Sequence, residues 1–110
     1  MNISIHDKGE AKVLQFEGRL DTNTSQDAQT TLDGVIQTGA QKILVDFEKL
    51  DYISSAGLRV LLGTAKHLTR SGGELRLSAL NETVQEIFDM SGFSQILSVF
   101  KTSDEALAGF

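Results

Sequence analysis

Apolar residues first recur in two short strand-like runs, Ile3 and Ile5, then Val13, Leu14 and Phe16. Asp7-Lys8-Gly9 between them is a turn signal, so the pair predicts a β-hairpin. From Ser25 to about Thr38 the period lengthens: Ala28, Leu32, Val35 and Ile36 fall at helical spacing, and Gly39 supplies a stop. Lys42 to Phe47 (KILVDF) is a continuous apolar-rich run, as expected of a strand buried on both faces, and a short acidic turn follows it. Leu58, Leu61, Leu62, Ala65 and Leu68 form the apolar stripe of a second helix running to Arg70 and ended by Gly72-Gly73. Leu75 and Leu77 then alternate in a strand, ELRLSAL. Asn81 caps a short helix carrying Val84, Ile87 and Phe88, which Ser91-Gly92 stops. Gln95 to Phe100 reads as a short strand, and Thr102 with Glu105 has capping-box spacing for a last helix containing Ala106 and Leu107.

The resulting order, β-β-α-β-α-β-α-β-α, predicts an α/β fold: a mixed sheet with parallel strands and crossover helices. No repeat, low-complexity tract or linker interrupts the 110 residues, so residues 1–110 are expected to form a single domain. Fifteen acidic against ten basic side chains give a formal charge of -5. That balance argues against a nucleic-acid or anionic-membrane partner, whose phosphates would be repelled over most of the surface. The absence of cysteine removes disulfides, thiolate nucleophiles and cysteine-based metal sites. The start of the chain lacks a basic segment followed by an apolar one, and no apolar run approaches the ~20 residues of a membrane span. A cytoplasmic protein without a membrane span is the expectation.

Catalytic constellations fail on geometry. Ser55, His67 and Asp51 suggest a hydrolase triad, but Ser55 opens the second helix and His67 lies twelve residues along it. At ~1.5 Å per residue they are about 18 Å apart, far beyond hydrogen-bond reach. The other histidine, His6, has no evident acid–base partner, and a nucleophile elbow would need glycine where Ile53 stands. Asp46, Glu48 and Asp51 lack calcium-loop spacing and read as a solvated strand end and loop. Gly72-Gly73 follows a helix, so it reads as a C-cap and not a phosphate cradle. Lys66, His67 and Arg70 sit where cations complement a helix dipole, which is favoured over a nucleic-acid patch on an acidic chain. No catalytic residue, metal site or cofactor is expected.

The segment LDYISSAGLRVLLG, Leu50 to Gly63, carries more information. A serine at a helix entry can cap free N–H groups, for ~0.5–2 kcal/mol. Capping accounts for one of Ser54 and Ser55 and leaves the other unexplained. Phosphate on a serine adds about -1.5 to -2 charge and strong acceptor oxygens, which a helix N-terminus accommodates.

Three segments in order, GRLDTNTS at 18–25, ILVDFEKLDYISSAGLRVLLG, and SGGELRLSALNETVQEIFDMSGFSQIL, resemble the anti-sigma factor antagonists of the STAS-domain family. The resemblance spans almost the whole chain. It implies a STAS-like sheet and a loop of Asp-Ser-Ser/Thr-Gly-Leu type whose first serine is phosphorylated. In this chain the phosphoacceptor position is Ser55, within an environment of Asp21, Ser54, Ala56 and Gly57; Ser54 replaces the family's aspartate and is the second candidate. The resemblance further implies a partner, a serine-kinase anti-sigma factor of the GHKL type, and a serine phosphatase that resets the cycle. The unphosphorylated antagonist binds the kinase and frees a sigma factor; phosphorylation ends the complex. The chain would then be a substrate and not an enzyme. The alternatives are a STAS scaffolding module of a signalling assembly and a partner-switching regulator of a non-sigma output such as secretion.

A helical wheel supplies an expectation independent of the family. With Leu58 at zero, the apolar stripe of the second helix spans about 280° through about 40°. Val60, Gly63, Thr64 and His67 fall outside it, so the partner-binding surface is expected to run from Ser55 along these four residues. Met90 and Phe93, near the third helix, are expected to pack in the core.

Overall fold

The computed structural model describes residues 1–110. Strands β1 (Asn2–Lys8) and β2 (Ala11–Leu20) form an antiparallel hairpin whose turn uses Gly9 at φ +61°. Three more strands, β3 (Lys42–Ile53), β4 (Glu74–Ser78) and β5 (Ser98–Phe100), add in parallel, giving the spatial order β1-β2-β3-β4-β5. Helices α1 (Ser25–Gln37), α2 (Ser55–Arg70) and α3 (Glu82–Ser91) make the successive crossovers, and α4 (Ser103–Leu107) follows the last strand. The mixed sheet read from the sequence is therefore the observed one.

Adjacent residues on a strand point to opposite faces, which separates two cores. Leu14, Phe16, Val45 and Phe47 join Leu32, Leu61 and Phe88 in the main cluster beneath α1, α2 and α3. Their neighbours Val13 and Leu44 face the other way and meet Ala106 of α4. Phe47 stands between Phe16 and Phe88, with centroid distances of 5.9 and 6.4 Å in tilted and edge-on geometry.

Several boundaries differ from the sequence reading. β3 does not turn after Phe47 but continues to Ile53. Asp46 to Lys49 of β3 spans Gln15 to Glu17 of β2, and Leu50 to Tyr52 spans Gly18 to Arg19, so two bulges each take up an extra β3 residue and keep the strands paired as far as Leu20–Ile53. Asp46 consequently lies buried within β3, accepting the Glu48 N–H at 2.9 Å, and is no solvated strand end. β4 stops at Ser78, since Ala79 turns to φ +60°. β5 is only three residues long because a 3-10 turn takes Phe93–Gln95. The glycine stop of α2 is a Schellman cap: Gly72, at φ +87°, donates to the Thr69 carbonyl and Gly73 to that of Leu68.

A five-residue helix such as α4 cannot hold itself together, and Arg76 of β4 ties it down. Its guanidinium lies 4.5 Å from the Phe110 ring centroid and 5.1 Å from that of Phe100. Nη1 donates to the carbonyls of Ala106 (2.8 Å) and Ala108 (3.1 Å), while Nε pairs with Glu74 at 2.9 Å. Arg76→Ala is expected to lower urea-denaturation stability by about 2 kcal/mol. Arg76→Lys should recover little of it, because an ammonium cannot both stack and fork. A wild-type midpoint for Arg76→Ala would show that α4 docks through its apolar contacts alone.

Candidate functional site

The C-terminal ends of β2 and β3 lie side by side at Leu20 and Ile53. The Ser54 N–H donates to the Leu20 carbonyl at 2.9 Å, so the chain leaving β2 at Asp21 and the chain entering α2 at Ser55 start from one hydrogen bond. Asp21 is held by its own loop: its Oδ1 accepts the backbone N–H groups of Asn23 (3.0 Å) and Thr24 (3.2 Å), with the Thr24 hydroxyl 3.3 Å away. Arg19 Nε stands 3.7 Å from Oδ2. Partial loss of solvent opposes ionisation of this carboxyl. The Asn23 and Thr24 hydrogen bonds, helped by Arg19, outweigh it and hold Asp21 below the usual aspartate pKa.

Ser54 and Ser55 divide the helix entry between them. Ser54 is extended (φ -98°, ψ 173°) and its hydroxyl accepts the Gly57 N–H at 3.3 Å, so Ser54 is the N-cap. Ser55 is the first helical residue, exposed, and its hydroxyl takes part in no hydrogen bond within the chain. Ala56 is half-buried. Gly57 is buried against the end of β2: a Cβ there would lie 2.8 Å from Leu20 Cγ, 2.9 Å from Ile53 Cγ1 and 3.0 Å from the Leu20 carbonyl oxygen. The fold thus brings Asp21, Ser54, Ser55 and Gly57 to one corner.

Beyond the entry, the expected outward row breaks up. Gly63 and His67 are exposed, but Val60 (8% exposed) and Thr64 (1%) are buried. The reason is tertiary: α2 packs beside α1 as well as on the sheet, which rotates its buried arc toward the side that holds Val60 and Thr64. Thr64 tolerates burial because its hydroxyl donates to the Val60 carbonyl at 2.9 Å. Val60 and Thr64 are therefore core residues and no part of a free surface. Met90 also departs from expectation, being 81% exposed on α3, whereas Phe93 packs against the core.

One arrangement escaped the sequence reading. Arg19 stacks on Tyr52 at 4.4 Å from the ring centroid, beside Asp21. The two are register partners of β2 and β3, so the signal was available only to a reading that carried β3 to Ile53. The continuous helix from Ser55 to Arg70 keeps Ser55 and His67 at its two ends.

The profile of the STAS domain family matches residues 2–106. The chain belongs to the STAS domain family. The STAS domain is 37% identical over 95 residues to BtrV of Bordetella bronchiseptica, named as a candidate anti-sigma factor antagonist; the match covers 86% of this chain and 82% of that protein. It is 31% identical over 111 residues to an anti-sigma F factor antagonist of Paenibacillus polymyxa, covering 97% and 94% of the two chains. The crystal structure of a candidate anti-sigma factor antagonist of Thermotoga maritima superposes with a TM-score of 0.91 at 20% identity, covering 96% and 92%, a likeness of fold. No helix of this STAS domain is long and apolar enough to cross a membrane.

Proposed function

We propose that this STAS domain is an anti-sigma factor antagonist that works by partner switching. Its unphosphorylated form binds a serine-kinase anti-sigma factor of the GHKL type in the cytoplasm and releases the sigma factor held there. Phosphorylation of Ser55 ends the complex, and a serine phosphatase restores it. The observation that carries this reading is the division of labour at the helix entry. Ser54 is occupied as the cap, while the Ser55 hydroxyl is exposed and unpartnered at the first position of α2. The names of the two relatives supply the sigma-factor context.

The test is incubation with the cognate kinase and ATP, followed by mapping of the modified residue. Ser55→Ala should abolish phosphate incorporation and leave stability nearly unchanged. Ser54→Ala should still be modified but lose about 1 kcal/mol of stability with its cap. Phosphate mapped to Ser54, or incorporation that survives in Ser55→Ala, would overturn the assignment of the acceptor. A tight complex with no phosphate transfer would point instead to a scaffolding module.

A further inference from the structure

The exposed side of α2 carries cationic side chains and no acidic one. The helix contains Arg59, Lys66 and Arg70 and no acidic residue, on a chain with ten Lys and Arg against fifteen Asp and Glu. With Leu58 at zero the three cations fall at about 100°, 80° and 120°, so they form one ridge of about 16 Å. All three are exposed and none is in an ion pair. Ser55, at about 60°, begins the same ridge. Arg59 leans over it, its Nε 3.4 Å from the Ser55 carbonyl oxygen. Gly63 lies midway along, exposed, with nothing within 4 Å of where a Cβ would stand. Glycine there costs about 1 kcal/mol of helix propensity without any intramolecular crowding to require it. A bare backbone between cations admits a partner surface to close contact.

We infer that the Arg59–Gly63–Lys66–Arg70 ridge docks on an acidic surface of the kinase partner, a deepening that rests on the function proposed above. The fit to a protein and not to a nucleic acid follows from the rest of the chain. Outside α2 the fifteen acids face only seven cations. A polyanion extending past the ridge would be repelled, while a folded acidic patch touches the ridge alone. The ridge also links docking to modification. Ser55 and Arg59 are four residues apart on one helix face, so a phosphate on Ser55 offsets the positive end of the ridge.

The test measures association of the unphosphorylated chain with the serine kinase that modifies Ser55, at low and high salt. Lys66→Glu/Arg70→Glu should slow association about tenfold at low salt and flatten its salt dependence. Lys8→Glu/Lys101→Glu makes the same change of net charge at exposed sites off the ridge, and should slow association less than about twofold. Equal effects of the two double variants, or no effect of either, would overturn the ridge while leaving Ser55 phosphorylation intact. Failure of the kinase to bind the wild-type chain at all would instead remove the proposed function. Binding of a short DNA duplex that Lys66→Glu/Arg70→Glu abolishes would overturn the choice of an acidic protein. Circular dichroism should show both double variants folded.

Discussion

Gly57→Val should destabilise the domain by about 3 kcal/mol or more, read as a lower urea midpoint. The β-carbon alone falls within 2.8 to 3.0 Å of Leu20 Cγ, Ile53 Cγ1 and the Leu20 carbonyl oxygen. None of these can step aside cheaply. Leu20 and Ile53 are at most 1% exposed in the main core, and the Leu20 carbonyl accepts the Ser54 N–H that joins β2 to the helix entry. Valine adds two methyl groups to that contact and a side chain that is stiff in a helix. The damage should reach function by moving Asp21 away from Ser55, so phosphorylation by the kinase should slow even below the unfolding transition. Gly63→Ala is the control: it meets open space, so helix propensity alone should stabilise the chain by up to about 1 kcal/mol. A wild-type midpoint for Gly57→Val would show that α2 is not held against the end of β2.

The same contrast explains which parts of the fold were legible in the sequence. Local periodicity carried the hairpin and the first three helices, because period 2 and period 3.6 are written in neighbouring residues, and capping-box spacing carried the fourth. Three of the caps were equally local: Asn81 and Thr102 accept the N–H groups of Val84 and Glu105, and Gly72 takes the left-handed turn. The second half of β3 was not legible. Glu48, Lys49 and Asp51 look like a turn, and two bulges in β3 itself absorb the extra residues so that pairing with β2 continues. Val60 and Thr64 were misplaced because a wheel knows one helix, while their burial comes from α1 alongside. The corner itself was half legible. The sequence left Ser54 and Ser55 with one cap to share, and the Gly57 N–H goes to Ser54. The nearness of Asp21 depends on parallel registry between strands separated by a whole helix, which no local pattern encodes; the family resemblance supplied it.

Phosphorylation of Ser55 should weaken binding to the kinase about 100-fold at pH 7.5, a loss of roughly 2–3 kcal/mol, with little change in thermal stability. The fold is spared because the new charge sits at the first position of α2, where the helix dipole favours an anion and no native hydrogen bond of the hydroxyl is lost. Binding should not be spared, since on the proposed function the dianion enters an interface otherwise matched to a neutral hydroxyl. It also stands at the corner held by Asp21, whose carboxyl the Asn23 and Thr24 hydrogen bonds hold below the usual aspartate pKa. This separates the two anions by pH. The second phosphate ionisation lies near pH 6, so lowering the pH from 7.5 to about 5.5 returns the phosphate to a monoanion. Asp21, with its lowered pKa, stays charged throughout that window. Calorimetric titration of phosphoprotein should therefore recover part of the lost affinity as pH falls, beyond any change that the unphosphorylated protein shows over the same range. Phosphoprotein that binds as tightly as the unmodified chain would leave the switch without a cause. Ser55→Asp should reproduce only part of the loss, because a carboxylate brings one charge and two acceptor oxygens where phosphate brings nearly two charges and three.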